Sequence, residues 1–131
     1  MSKIIIASGP VIVEAGKVLL NKHGEDSFYK FCGGRVESFE ENLVDAAKRE
    51  VKEEMGIGIK IINSEPYIMY AKKPGQEDID MILVHYLAER VGDVEPGADI
   101  REWNWVAIEE IDSHQLAPNI LPVLRHFGFL R

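Results

Sequence analysis

Along most of the chain, apolar and β-branched residues come in short runs separated by Gly, Pro and acidic turns, and one stretch switches to a helical repeat. Residues 4–13 and 17–20 are β-rich and are broken at Glu14-Ala15-Gly16, so residues 3–21 read as a hairpin. Residues 23–27 form a polar loop, and residues 28–31 a short strand that runs into Gly33-Gly34. Residues 57–70 alternate as an extended segment, 72–80 are a loop, 81–88 a strand, 91–100 a Gly- and Pro-containing loop, and 103–107 a last strand. A short helix near Glu109 and a C-terminal helix over 118–127 close the chain. With no repeat or linker, residues 1–131 read as a single α+β domain with a mixed sheet.

The helical stretch spans 38–55. Ser38 and Glu41 have the spacing of a capping box, and Gly56 is placed to end the helix. At about 100° per residue, Phe39, Leu43, Ala46 and Ala47 cluster around Glu50, with Val44, Val51 and Met55 farther round the same side. Glu41, Asp45, Lys48 and Lys52 form the opposite, solvated face. Glu50, Glu53 and Glu54 lie within an arc of about 100° that overlaps the apolar side, so three carboxylates are expected to point toward the body of the protein. Glu53 and Glu54 also fall in the last turn, where the helix dipole disfavours anions by roughly 0.3 to 1 kcal/mol each, with repulsion and desolvation added. A divalent cation relieves all three costs together, and Mg²⁺ takes oxygen ligands completed by water and phosphate. The cluster therefore reads as a hard-metal site, and Gly33-Gly34 as a turn whose backbone can approach a ligand closely.

The segment GGRVESFEENLVDAAKREVKEEMGI, residues 33–57, resembles the Nudix box, G-x5-E-x7-R-E-U-x-E-E-x-G-U with U aliphatic. Arg49, Glu50, Val51, Glu53, Glu54, Gly56 and Ile57 match the fixed positions, and Glu41 stands at the right spacing before Arg49. Six residues separate Gly34 from Glu41 where the pattern has five, Cys32 stands where proline is frequent, and Phe39 replaces a frequent glycine. We assign the extra residue to the loop, with Glu41 as the first glutamate of the box. That assignment expects Ser38 at the N-cap of an unbroken helix, and a helix starting after Glu41 overturns it.

The resemblance implies a Nudix-type α/β/α sandwich carrying a catalytic loop-helix-loop, and Mg²⁺-dependent hydrolysis of a diphosphate linkage in a small nucleotide-like substrate, a dNTP or oxidised dNTP among the options. Mn²⁺ is the natural substitute for Mg²⁺. It implies Glu50, Glu53, Glu54 and the Gly34 carbonyl as metal ligands, Arg49 as the residue that orients the glutamates, and Glu37 as an assistant near the metal and substrate. A further carboxylate is sought in Asp99 or Glu102, with Glu77, Asp78 and Asp80 as rivals. Segment 117–123 is similar to one that presents an asparagine to a purine, which puts Asn119 against a base edge, unless Pro118-Asn119 simply starts the last helix. Phe28, Tyr67, Tyr70 and Trp103 are the aromatic side chains available for stacking, with core packing as the default for each. The alternative function is a catalytically silent nucleotide-binding regulatory module on the same fold.

Composition narrows the remaining classes. A single cysteine, Cys32, excludes an internal disulfide and multi-cysteine zinc sites. With 22 acidic against 15 basic residues the net charge is −7, and no basic stripe suits a nucleic acid polymer, although an acidic protein can bind a polyphosphate through intervening cations. No apolar run approaches the roughly 20 residues of a membrane span, and no signal peptide is evident, so a cytoplasmic location is expected. His23, His85, His114 and His126 form no metal motif and are expected to be structural or surface residues. G-x-S-x-G, P-loop and G-x-G-x-x-G patterns are absent. A homodimer is the assembly considered.

Overall fold

The computed structural model describes residues 3–38 and 41–131. In chain order these form β1 (Lys3–Val11), β2 (Val13–Glu14), β3 (Lys17–His23), β4 (Lys30–Phe31), β5 (Gly34–Arg35), α1 (Leu43–Met55), β6 (Gly58–Ile61), β7 (Tyr67–Lys73), β8 (Gln76–Val91), β9 (Ile100–Ala107), a 3₁₀ turn at Ile108–Ser113, and α2 (Ile120–His126). Strand β8 is the spine. It pairs in parallel with β1 from Lys3 opposite Ile79 to Val11 opposite Leu87, and antiparallel with β7 and β6 on its other edge. With β5 beside β1 this makes a mixed sheet in the order β5-β1-β8-β6, plus β7 on β8. A smaller antiparallel sheet runs β2-β3-β4, with β9 also paired to β3.

Neighbouring strand residues face opposite ways, and here that alternation feeds two cores. Ile12, Leu19, Val84 and Tyr86 pack with Ala47, Val51 and Met55 of α1. Val11, Val18, Leu20 and Val106 pack with Ile120, Val123 and Leu124 of α2. Each fully buried aliphatic side chain contributes about 1.5 to 3 kcal/mol, so one helix is held on each side of the strands in an α+β sandwich. Among the described residues, no helix is long and apolar enough to cross a membrane.

The structure corrects several expectations. The hairpin is confined to β2 and β3, whereas β1 leaves it to lie between β5 and β8 in the other sheet. Parallel pairing with a strand some 75 residues away has no local signature. The extended segment over 57–70 is split into β6 and β7, and the expected loop over 72–80 narrows to a turn at Pro74-Gly75 because both flanking strands continue into it. Strand β9 starts at Ile100, three residues before Trp103.

The helix boundary is the correction that matters for the site. Helix α1 starts at Leu43, and its N-cap is Asn42, whose side-chain oxygen accepts from the Asp45 N–H at 2.8 Å. The Ser38 capping box is overturned: the Glu41 N–H donates to the Ser38 carbonyl at 3.1 Å in a turn before the helix. Asn42 is as good an N-cap as Ser, and its cap leaves the Glu41 side chain available to Arg49. With the helix starting at Leu43, after Glu41, the assignment of the extra residue with Ser38 at the N-cap is overturned. Phe39, placed on the apolar side of that helix, lies outside the described residues. At the other end Gly56 adopts φ 71°, which glycine takes without strain, and its N–H donates to the Lys52 carbonyl at 3.0 Å.

Candidate active site

Arg49 organises one end of the site. Its Nε and Nη2 donate to the two oxygens of Glu41 at 2.7 and 2.9 Å, a bidentate fork. Its Nη1 donates to Glu50 Oε1 at 2.9 Å and to Glu53 Oε2 at 3.4 Å, while Glu37 stands 4.0 Å away. A weaker bond at 3.3 Å reaches the Arg35 carbonyl on β5, so the guanidinium joins helix to sheet edge. The fork lowers the proton affinity of Glu41 and raises that of Arg49. Burial pushes the Glu50 carboxyl up, Arg49 opposes that shift, and the charges of Glu53 and Glu54 add to it. Glu50 also lies against Gly34, where any Cβ would overlap its carboxylate.

Glu54 is the deepest of the cluster and is 7% exposed. Its Oε1 accepts from Asn21 Nδ2 at 2.7 Å and from the Gly33 N–H at 3.1 Å. His23 Nε2 lies 2.8 Å from Glu54 Oε2, out of line for a hydrogen bond. Glu54 thus ties α1 to β3 and to the glycine turn. Glu53 departs from expectation: its side chain is 62% exposed, so two of the three carboxylates face inward and the third stands on the rim. Helical spacing alone does not set how far the neighbouring turn covers each position.

Among the described residues, no three His, Cys, Asp or Glu side chains close on one point as a finished metal cage. The donor set nonetheless suits a hard divalent cation: Glu50 and Glu53 share a single guanidinium, Glu50 abuts Gly34, and burial opposes ionisation of Glu50. A cation bound there would replace repulsion with coordination.

From Gly33 and Gly34 a cleft of about 430 Å³ runs to Ala117, Pro118 and Asn119. Phe28 and Leu83 line it, and Arg35 and Lys73 bring positive charge to an otherwise acidic protein. Asn119 occupies the N-cap position of α2 yet makes no capping bond with its side chain. Instead its Nδ2 lies 2.9 Å from His85 Nε2. Of the other aromatic candidates, Tyr67 stacks on His126 at 4.0 Å, Tyr70 is 80% exposed, and Trp103 is on β9; none of the three lines this cleft.

The further carboxylates separate. Glu102 accepts from the Tyr29 hydroxyl and lies 3.6 Å from Lys22, away from the cleft lining. Asp99 closes a loop fastened to the end of α1 by Glu95 N–H to Met55 and Gly97 N–H to Glu54, and the Asp99 carbonyl accepts from Gly24, next to His23. Asp80 pairs with Lys72 on the β7–β8 hairpin, and Glu77 and Asp78 precede it on β8. Asn21, His23 and His85 were not anticipated as site residues. Asn21 carried one signal, a polar residue directly after Val18-Leu19-Leu20 in a strand, and it is fully buried.

A family model described as NUDIX domain matches residues 4–127. Among solved structures, the Escherichia coli ORF135 protein is 25% identical with a TM-score of 0.76, covering 96% of this chain and 89% of its own. A MutT NUDIX hydrolase from Burkholderia pseudomallei is 21% identical at TM-score 0.78, with 94% and 97% covered. An Ap4A hydrolase from Caenorhabditis elegans is 23% identical at TM-score 0.78, with 95% of each chain covered. No curated protein matches the sequence.

Proposed function

The chain belongs to the Nudix family and is a Nudix hydrolase, and from that premise we propose that it splits a diphosphate linkage in a small nucleotide-like molecule with the help of Mg²⁺. The observation that carries this reading is the pairing of ends in one cleft: Glu50 packed on Gly34 at one, Asn119 at the other. A diphosphate fits between an anionic, metal-compatible rim and a neutral amide.

In this reading Glu50, Glu53, Glu54 and the Gly34 carbonyl hold the metal, for which Mn²⁺ can substitute. A bound divalent ion supplies charge neutralisation on phosphate oxygens and a water of lowered pKa. Arg49 fixes the carboxylates on the rim, and its bidentate grip on Glu41 keeps the guanidinium from swinging out. A carboxylate of the rim accepts the proton from the attacking water. Arg35 and Lys73 hold phosphate oxygens along the cleft, and Glu37 borders the same end. Asn119 reads the edge of a base, and Phe28 packs on its face. Asp99 is the further carboxylate of the site.

The relatives' printed substrates, Ap4A and UDP-X, share a nucleoside diphosphate core, and that core is the substrate class proposed. The test is incubation with Mg²⁺ and a panel of dNTPs, oxidised dNTPs, nucleotide sugars, ADP-ribose and dinucleoside polyphosphates, with products identified. Cleavage at a diphosphate that stops in excess EDTA is expected; turnover that persists in EDTA, or no turnover on any member, overturns the reading.

A further inference from the structure

His85 sits on β8 at the floor of the cleft and is 4% exposed, held edge-on by Phe31 at 5.6 Å. Its Nδ1 lies 3.0 Å from the Tyr67 carbonyl and its Nε2 lies 2.9 Å from Asn119 Nδ2. A carbonyl only accepts, so Nδ1 must carry the proton. Burial depresses the imidazole pKa to about 4, which leaves the ring neutral at pH 7, with Nε2 an acceptor. Asn119 must then offer its NH₂ to His85, and the amide cannot turn over without setting its oxygen against a lone pair.

We propose that His85 is a positioning residue for base recognition: through its Nδ1–H tautomer it locks the Asn119 amide with Nδ2 toward β8 and Oδ1 on the other side, so the cleft accepts only one order of donor and acceptor on a base edge. The proposal rests on the reading of Asn119 as a base-edge contact. An amide free to rotate matches either order and discriminates poorly, while a locked one presents a single pattern. Adenine and hypoxanthine reverse that pattern: position 6 changes from an N–H donor to a carbonyl acceptor, and N1 from acceptor to donor. The lock therefore makes the protein favour one of these two bases over the other. The effect of His85 passes through Asn119, to which its ring is bonded.

Two measurements test this. Ring ¹⁵N spectra of the wild type at pH 7, with His85 assigned by its loss in His85→Leu, should show the neutral Nδ1–H tautomer. In Asn119→Asp, where a carboxylate cannot donate to Nε2, His85 should take up a second proton. An Nε2–H or doubly protonated His85 in the wild type overturns the lock whatever the protein hydrolyses. The second measurement is an NMR titration with AMP and with IMP, free of metal. The wild type should separate the two dissociation constants by at least about fivefold. His85→Leu should bring them within about twofold, and Asn119→Ala should do the same. If Asn119→Ala removes the difference but His85→Leu preserves it, the base reading stands and the role of His85 is overturned. If Asn119→Ala also preserves it, the reading of Asn119 itself has failed. Should His85→Leu not fold, His85 is assigned by the ring signals that change in Asn119→Asp, and the wild-type tautomer with that spectrum decides the lock.

Discussion

The two ends of the cleft solve opposite problems. At the α1 end, one guanidinium, with Nε, Nη1 and Nη2 all engaged, holds the carboxylates of Glu41, Glu50 and Glu53, and Glu54 is buried behind them on Asn21 and Gly33. At the α2 end, a neutral amide is held by a neutral imidazole. The first concentrates more negative charge than one guanidinium balances. The second carries no charge, and in the proposed function a hydrogen-bond pattern, and not net attraction, decides what binds there. Phosphate is the same in every nucleotide and the base is not, so the proposed function puts strength at one end and discrimination at the other.

The comparison predicts that substitutions at the charged end act on rate and those at the neutral end on choice. Glu53→Gln should have the largest effect, lowering turnover by about 100-fold or more, since a proposed ligand should matter at least as much as outer-shell partners. Its side chain is exposed, and removing one of several crowded negative charges should leave the melting temperature unchanged or higher. Rates at saturating Mg²⁺ and thermal melts check both halves. A mutant with near-normal turnover would remove Glu53 from the metal rim. Arg49→Lys comes next, at roughly 10- to 100-fold: an ammonium cannot reproduce the two-pronged contact with Glu41 while also reaching Glu50. Asp99→Asn is expected to cost about tenfold, and an unchanged rate would leave the site without that carboxylate.

The charged end was more legible in the sequence than the neutral end, where Asn119 and Phe28 were candidates but His85 was not. Glu50, Glu53, Glu54 and Arg49 fall on one helix, where period fixes relative direction within a single element. The helix start failed because two competing caps, Ser38 and Asn42, lie four residues apart, and spacing does not weigh them. Glu54's partners come from β3 and the glycine turn, and the His85 to Asn119 contact joins residues 34 positions apart on different elements. Such pairs join residues far apart in the chain, an arrangement that leaves no trace in local pattern. Cleft-lining Arg35 and Lys73 were hidden for a similar reason, because a net charge of −7 averages over the surface.

A pH experiment separates the ends by their stability. His85 titrates near 6.5 when unfolded and at about 4 when folded, so the unfolded chain binds the extra proton first. Stability from this residue is therefore fully present above pH 6.5 and is lost as pH falls toward 4, by about 3 kcal/mol in all. His85→Leu should flatten that part of the profile relative to the wild type, measured by urea unfolding at pH 7 and pH 4.5. Identical slopes would mean that the imidazole is not neutral in the fold.

The smallest expected effect is at Glu102, and it sharpens where the site stops. This residue was a candidate for the further carboxylate, yet its side chain accepts from Tyr29 and faces Lys22, whose ammonium also lies 4.5 Å over the Tyr29 ring. The hydrogen bond from Tyr29 is the main cause lowering its proton affinity, so the carboxylate is committed as an ion and is a poor proton acceptor. Glu102→Gln keeps an oxygen for the tyrosine hydroxyl and forfeits only the charge. An exposed pair of this kind contributes about 0.2 to 1 kcal/mol, which salt screens further. The variant should therefore melt slightly lower at low salt, with the difference fading as salt is raised, and should turn over within about twofold of the wild type. A loss above tenfold at high salt would place Glu102 in the reaction and extend the charged end of the cleft across β9.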